Sequence, residues 1–266
     1  MRFSFRVSTL TVIGAAVGYC GAALLAGGAQ ALVGGASLAP PDMARSVVGV
    51  VGVRGKTKTF CTATAIAHNL ILTAGHCAQP GTTYQAQYTD KKGQRKFANV
   101  AAWDRPPQFA IRWNTAIADF ALMDLSDPLP AEIAIAVLDL HQPPVWPGDR
   151  FTIVGEGVTL KGLHQTGINR IATLVAATPI SDQQIRLVDS SGTPVGACAG
   201  DSGSPVFQTR SGSTKVVGVV SWAGTTDKLK DCGGITGAIL LSPYRQWIDD
   251  TMKKWGGSPA NVAAPK

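Results

Sequence analysis

The stretch Cys198-Ala199-Gly200-Asp201-Ser202-Gly203-Ser204-Pro205 puts a serine between two glycines, directly after an aspartate and close to a cysteine. A serine hydroxyl is a weak nucleophile until a base takes its proton and backbone donors hold the oxyanion that forms. Glycines on both sides let the backbone turn tightly and bring its N–H groups near a reacting carbonyl. The same residue types also build ordinary surface turns. The meaning of the stretch therefore depends on whether a base and an orienting acid occur elsewhere in the chain.

Both occur upstream. Leu70-Ile71-Leu72-Thr73-Ala74-Gly75-His76-Cys77 is an apolar, strand-like run that ends in small residues and a His-Cys pair. Thr115-Ala116-Ile117-Ala118-Asp119-Phe120-Ala121-Leu122-Met123 embeds one acid among apolar residues, where a carboxylate is costly unless hydrogen-bonded or paired. Orienting a histidine meets that need. Each residue alone has a plainer role, as a structural histidine, a capping acid or a turn serine. Together, three matching contexts in the order His, Asp, Ser differ from the subtilisin and α/β-hydrolase orders. On these runs the chain, from about Leu32 to Trp255, resembles the trypsin-like (chymotrypsin-fold) serine proteases, and a secreted bacterial member is expected.

The resemblance implies an all-β fold of two six-stranded antiparallel β-barrels with the active site in the crevice between them. It makes Ser202 the nucleophile, His76 the general base and Asp119 the group that holds the imidazole tautomer and stabilises the imidazolium. The N–H groups of Gly200 and Ser202 would form the oxyanion hole. Ser221, in Val219-Val220-Ser221-Trp222, matches the family serine that hydrogen-bonds the buried aspartate, and Trp222 and Ala223 would lie along the substrate backbone. Asp124, His68, His141 and His164 match no role. Leu32-Val33-Gly34-Gly35 resembles the Ile-Val-Gly-Gly start of activated family members, with leucine as a departure. Its α-amino group, with a pKa of about 8, would pair with Asp201. At the position six before the nucleophile, where an aspartate selects Arg or Lys, this chain has Gly196, followed by Ala197. With Ala223 and Gly237 as walls, the expected P1 residue is uncharged and apolar.

Residues 1–31 read as a signal peptide. Arg2 and Arg6 form its positive end, Val7–Ala26 is uncharged and largely apolar, and Ala29-Gln30-Ala31 fits the small-x-small cleavage rule. The rival is an uncleaved anchor, since the uncharged stretch is long enough to span; its glycines and the cleavage site favour removal. Loss of Cys20 with the leader reduces five cysteines to four, an even number that suggests disulfides in an exported chain. Sequence alone allows three pairings, and the resemblance selects Cys61–Cys77 and Cys198–Cys232. Their spacings match no zinc pattern, and neither a metal nor another cofactor is expected. Of the formal charge of +7, two units come from Arg2 and Arg6 and the rest is scattered, so the excess reads as a solubility feature and nucleic-acid binding is not expected. The expected partners are protein or peptide substrates, with no membrane contact after signal removal, for a monomer in the medium or the periplasm.

At 266 residues with 45% apolar content the chain suits one domain of two subdomains, residues 32–255. Strand-like runs separated by Gly, Pro and Asp cover Val47–Val53, Thr62–Ala67, Leu70–Thr73, Tyr84–Tyr88, Phe97–Trp103 and Phe120–Leu125. They resume at Phe151–Val154, Ile168–Ala177, Ile185–Val188, Val216–Trp222 and Ala238–Leu241. Many short strands with turns between them mean a barrel or a sandwich. Tyr244, Trp247, Ile248 and Met252 recur at helical spacing after Ser242-Pro243, and the resemblance implies that this helix closes on the second barrel. Residues 256–266 read as a disordered tail. An α/β-hydrolase esterase fits poorly, because Ser204 stands at the last glycine of Gly-x-Ser-x-Gly and no suitable histidine follows Ser202. A catalytically silent binding protein of the same fold is the other rival, with Ser204, commonly glycine in the family, as its mild support.

Overall fold

The computed structural model describes residues 32–112, 115–157, 168–225 and 233–256. Residues 1–31, expected to be a signal peptide and including Cys20, lie outside them, as do His164, Cys232 and residues 257–266. The chain enters through β1 (Ser37–Leu38) and a short helix α1 (Pro41–Ala44). It then forms β2 (Val47–Arg54), β3 (Thr57–Ala67), β4 (Leu70–Thr73), β5 (Thr83–Thr89) and β6 (Arg95–Asp104). A hairpin of β7 (Ala110–Arg112) and β8 (Thr115–Ile117) precedes β9 (Ala121–Leu125). Strands β2-β3-β4-β9-β6-β5 close an antiparallel barrel. Valine-rich β2 and the wholly buried Leu70–Thr73 suit such strands, because β-branched and aliphatic side chains pack well on a pleated surface.

The second barrel comprises β10 (Arg150–Gly155), β11 (Arg170–Ala177), β12 (Gln184–Val188), β13 (Pro205–Arg210), β14 (Ser213–Gly224) and β15 (Ile235–Leu240). Its order is β11-β10-β13-β14-β15-β12, closed by the β11–β12 pairing. Closure removes the unpaired strand edges that would otherwise invite association. β1 pairs with β11, so the start of the described chain is attached to the second barrel before the first is built.

The β7–β8 hairpin and β13 are strands that the sequence pattern does not announce. β13 begins on Pro205 and ends at the two-residue turn Ser211-Gly212, with φ of 49° and 76°. That positive-φ pair is the turn signal which marks the β13–β14 hairpin.

Two apolar cores follow. One fills the first barrel around Ile66, Leu72, Phe120, Leu122 and Met123 and extends to Ile248 and Met252. The other fills the second barrel with Leu32, Phe151, Ile153, Leu174, Ile185 and Leu187. After β15, one 3-10 turn (Ser242–Tyr244) leads into α2 (Arg245–Lys254). The expected packing on the second barrel is corrected here: the helix reaches back to the first. The Phe120 ring lies 5.2 Å from Tyr244 and 5.4 Å from Trp247, and Asn69 Nδ2 donates to Trp255 O at 2.9 Å. The ring contacts with Phe120 and the Asn69–Trp255 hydrogen bond thus tie the helix, which follows the last strand of the second barrel, to the first barrel. No helix among the described residues is long and apolar enough to cross a membrane.

Candidate active site

β4 delivers His76. After its buried residues the chain makes one 3-10 turn, Gly75–Cys77. The Cys61–Cys77 disulfide, with Cα atoms 6.4 Å apart, ties that turn to β3. Closing a loop of this length stabilises the fold by about 3 kcal/mol in the chain-entropy account. His76 lies beside both sulfurs, but sulfurs bonded to each other are not thiolate ligands for a metal. Arg105 Nη1 donates to Gly75 O (3.3 Å) and Ala78 O (3.0 Å), and its guanidinium stacks 4.0 Å from the centre of the Phe109 ring. Arg105 thus clamps both ends of the histidine turn. The sequence reading missed it, because a lone arginine before a proline carries no local signal.

Asp119 sits between β8 and β9. The preceding Ala118 takes φ = 47°, a sparsely populated conformation for a residue with a Cβ, and Phe120 N–H donates back to Ala118 O at 2.8 Å. This tight bend aims Asp119 into the protein, where it is 0% exposed. Its Oδ1 accepts from His76 N–H at 2.7 Å, and its Oδ2 lies 2.8 Å from His76 Nδ1. Ser221 Oγ donates to the same Oδ2 at 2.5 Å. Ser221 reaches it through a bulge: Val220 pairs with Ala238 and Trp222 with Gly237, leaving Ser221 as the extra residue. Bulges re-aim side chains in this way. The Nδ1–carboxylate contact keeps a proton on Nδ1 and leaves Nε2 as an acceptor.

Ser202 precedes β13 in a loop fastened to the first barrel. Thr62 N–H donates to Ser202 O (2.8 Å) and Thr62 Oγ1 donates to Gly200 O (2.7 Å). Gly203 N–H donates to Val220 O (2.8 Å). Gly203 has φ = 89°, and a Cβ there would lie 2.0 Å from Thr62 O, so no side chain fits. Among the described residues the N–H groups of Gly200 and Ser202 donate to no acceptor, whereas that of Asp201 donates to Cys198 O. His76 and Ser202 line one cleft of about 400 Å³, together with Phe60, Tyr84 and the Cys61–Cys77 bridge. Cys198 is disulfide-bonded; its expected partner, Cys232, lies outside the described residues.

Behind the loop, Leu32 is buried and its N lies 2.9 Å from Asp201 Oδ2. Cys198 N–H donates to the same oxygen at 2.9 Å, and Gly157 N–H to Oδ1 at 3.2 Å. Burial pushes the Asp201 carboxyl up to about 6, opposed by these three N–H donors. Val33 and Gly196 exchange backbone hydrogen bonds of 3.0 and 3.2 Å. The Leu32–Val33 segment therefore braces both the Ser202 loop and Gly196. A neighbouring residue, Glu156, went unnoticed in the sequence. It is buried between the barrels, with Gln87 Nε2 3.4 Å from its Oε1 and no partner for Oε2 among the described residues. Burial raises its carboxyl to about 8.

Gly196 lies beside Thr236: a Cβ on Gly196 would be 3.1 Å from Thr236 Oγ1, and Ala197 N–H donates to that hydroxyl at 2.9 Å. Thr236 pairs across the sheet with Ala223. Gly237 instead lies under Trp222, where a Cβ would be 1.9 Å from the indole. The structure thus groups Gly196, Ala197 and Ala223 with Thr236 and turns Gly237 to the other face. One residue of slip along a strand changes the face presented, and the loop before β15 hides the count.

The two barrels with a serine between them define a serine-protease fold. A family model for Trypsin matches residues 33–248, and the chain belongs to that family. Among solved structures it is similar to human heparin binding protein, with 19% identity and a TM-score of 0.64 over 85% of this chain and 100% of that one. It is likewise similar to a scabies mite inactivated protease paralogue, with 20% identity and a TM-score of 0.64 over 83% of this chain and 99% of that one. At these identities the likeness is one of fold.

Proposed function

We propose that the chain is a secreted serine endopeptidase that hydrolyses protein or peptide substrates through an acyl-enzyme. His76 Nε2 takes the proton of Ser202 as Ser202 Oγ attacks the scissile carbonyl and forms the C–O bond, then gives it to the leaving amine as the C–N bond breaks. A water, deprotonated by the same nitrogen, then attacks the acyl-enzyme and frees the acid as Ser202 Oγ regains a proton. Asp119 holds the imidazole and stabilises its charged form. The N–H groups of Gly200 and Ser202, free of other acceptors among the described residues, receive the oxyanion. The single observation that carries this reading is the buried Asp119, bonded to His76 Nδ1 and Ser221, behind a cleft that His76 shares with Ser202.

Removal of residues 1–31 would convert the Leu32 N–H at Asp201 into an ammonium. The resulting buried ion pair would fix the oxyanion-hole backbone without a separate zymogen cleavage. The neutral surroundings of Gly196, with Thr236 and Ala223, support cleavage after uncharged apolar residues.

A fluorophosphonate should label Ser202, and Ser202→Ala should abolish labelling. An unlabelled wild-type chain would instead be a catalytically silent binding protein of this fold; the scabies mite paralogue is named as an inactivated protease. N-terminal sequencing of exported protein should give Leu32; another start ends the activation proposal. Chromogenic peptides should be cleaved faster after Phe or Leu than after Arg.

A further inference from the structure

A second cleft, of about 720 Å³, meets the first at His76. Its lining is apolar at Ile111, Trp222 and Ile235, and it carries two guanidiniums, Arg112 at the end of β7 and Arg186 on β12. They come from different halves of the molecule and face the same space. Arg186 stands over the Trp222 ring, 5.8 Å from its centroid. The indole can occupy that place because Gly237 puts no side chain beneath it. Neither arginine forms an ion pair among the described residues. The carboxylate in the lining, Asp119, is fully buried and bonded to His76 and Ser221. A peptide laid along Trp222 and Ala223 toward Ser202 therefore passes an apolar surface edged by two guanidiniums that have no carboxylate partner among the described residues.

We propose that this cleft selects peptide substrates with an Asp or Glu side chain in the few residues before the scissile bond, with Arg112 and Arg186 as the specificity-determining residues. The proposal rests on the proteolytic reading above. A guanidinium presents a planar fork of donors that matches a carboxylate, and charge-assisted pairs of this kind are stronger than neutral hydrogen bonds. The Trp222 face and the two isoleucines displace water around the pair and accept the methylenes of a glutamate. A lysine at the same place meets like charge.

The test uses quenched peptides with one apolar P1 residue and Glu, Gln or Lys at the second, third or fourth position before the bond. At the best position kcat/KM should favour Glu over Gln by about tenfold and Lys should be slowest. The preference should shrink as salt rises, because partly exposed charges are screened. R112Q and R186Q should each reduce the Glu-to-Gln ratio and together bring it to about one, whereas R186K should keep part of it. Equal rates for Glu and Gln, or a ratio that survives the double variant, overturns the proposal. Failure of fluorophosphonate labelling would instead defeat the proteolytic reading. The cleft is then read by fluorescence anisotropy of the same peptides: tighter binding of the Glu peptide, lost in the double variant, upholds it, and equal or undetectable binding of the two overturns it.

Discussion

Asp119 and Asp201 are equally sealed from solvent, each 0% exposed, yet they are held in different ways. Asp119 takes donors from the His76 ring and the Ser221 hydroxyl as well as one backbone N–H. Among the described residues Asp201 is held by backbone N–H groups alone, from Leu32, Cys198 and Gly157. Side-chain partners leave a trace in sequence, because only certain residues can supply them. Backbone donors do not, since every residue except proline has one. Under the proposed function the first site moves a proton, and the second would carry the release of Leu32 to the loop that holds Ser202.

The sharpest way to break this comparison is to neutralise each acid in turn. Asp119→Asn should lower kcat by roughly ten-thousandfold while circular dichroism stays native, because the amide favours the wrong imidazole tautomer. Asp201→Asn in protein beginning at Leu32 should cost about a hundredfold in kcat/KM, by loosening the oxyanion-hole loop. Losses of equal size would show that the two acids belong to one device.

The two acids also differ in how pH acts on the fold. With residues 1–31 attached, the Leu32 N is uncharged and burial pushes the folded Asp201 carboxyl up to about 6, above the ordinary 3.8 of an aspartate. The folded state then keeps a proton that the unfolded state releases, so stability falls as pH rises from about 4 to 6. Freeing the Leu32 ammonium should remove that fall, which thermal melts of processed and unprocessed protein can check.

Glu156 sharpens the picture on a smaller scale. Its folded value of about 8 against 4.5 means that wild-type stability declines as pH rises through that window. Glu156→Gln should match wild type near pH 4 and exceed it progressively as pH rises toward 9 in urea unfolding; the reverse trend would contradict its burial as a neutral acid. The smallest effect is expected at Ser204, whose buried Oγ has no partner among the described residues. Ser204→Ala should stabilise by about 1 kcal/mol.

Strands such as Leu70–Thr73 were legible because a wholly buried run has no alternative reading between turn signals. β13 was hidden by its opening proline and short length, although the Ser211-Gly212 turn marks its far end. His76, Asp119, Ser202 and Ser221 were legible as residue types in matching local contexts. Arg105, Thr236 and Glu156 were not, since each matters through neighbours distant in sequence: the histidine turn, Gly196 and Gln87. Gly237 was read as a pocket wall because strand alternation cannot be counted through the preceding loop.

From its sequence alone the chain determines an all-β fold of many short strands and the order of its chemical groups, while the two barrels and a pocket position without a carboxylate are what the family resemblance adds. The first two follow from local hydrophobic pattern and from residue identity, both of which are written along the chain. Only the tertiary structure decided that a bulge turns Ser221 onto Asp119, that Leu32 N reaches Asp201, and that Arg112 and Arg186 share a cleft beside His76. Those outcomes depend on register, closure and backbone direction, which arise when distant strands pair and have no local signature.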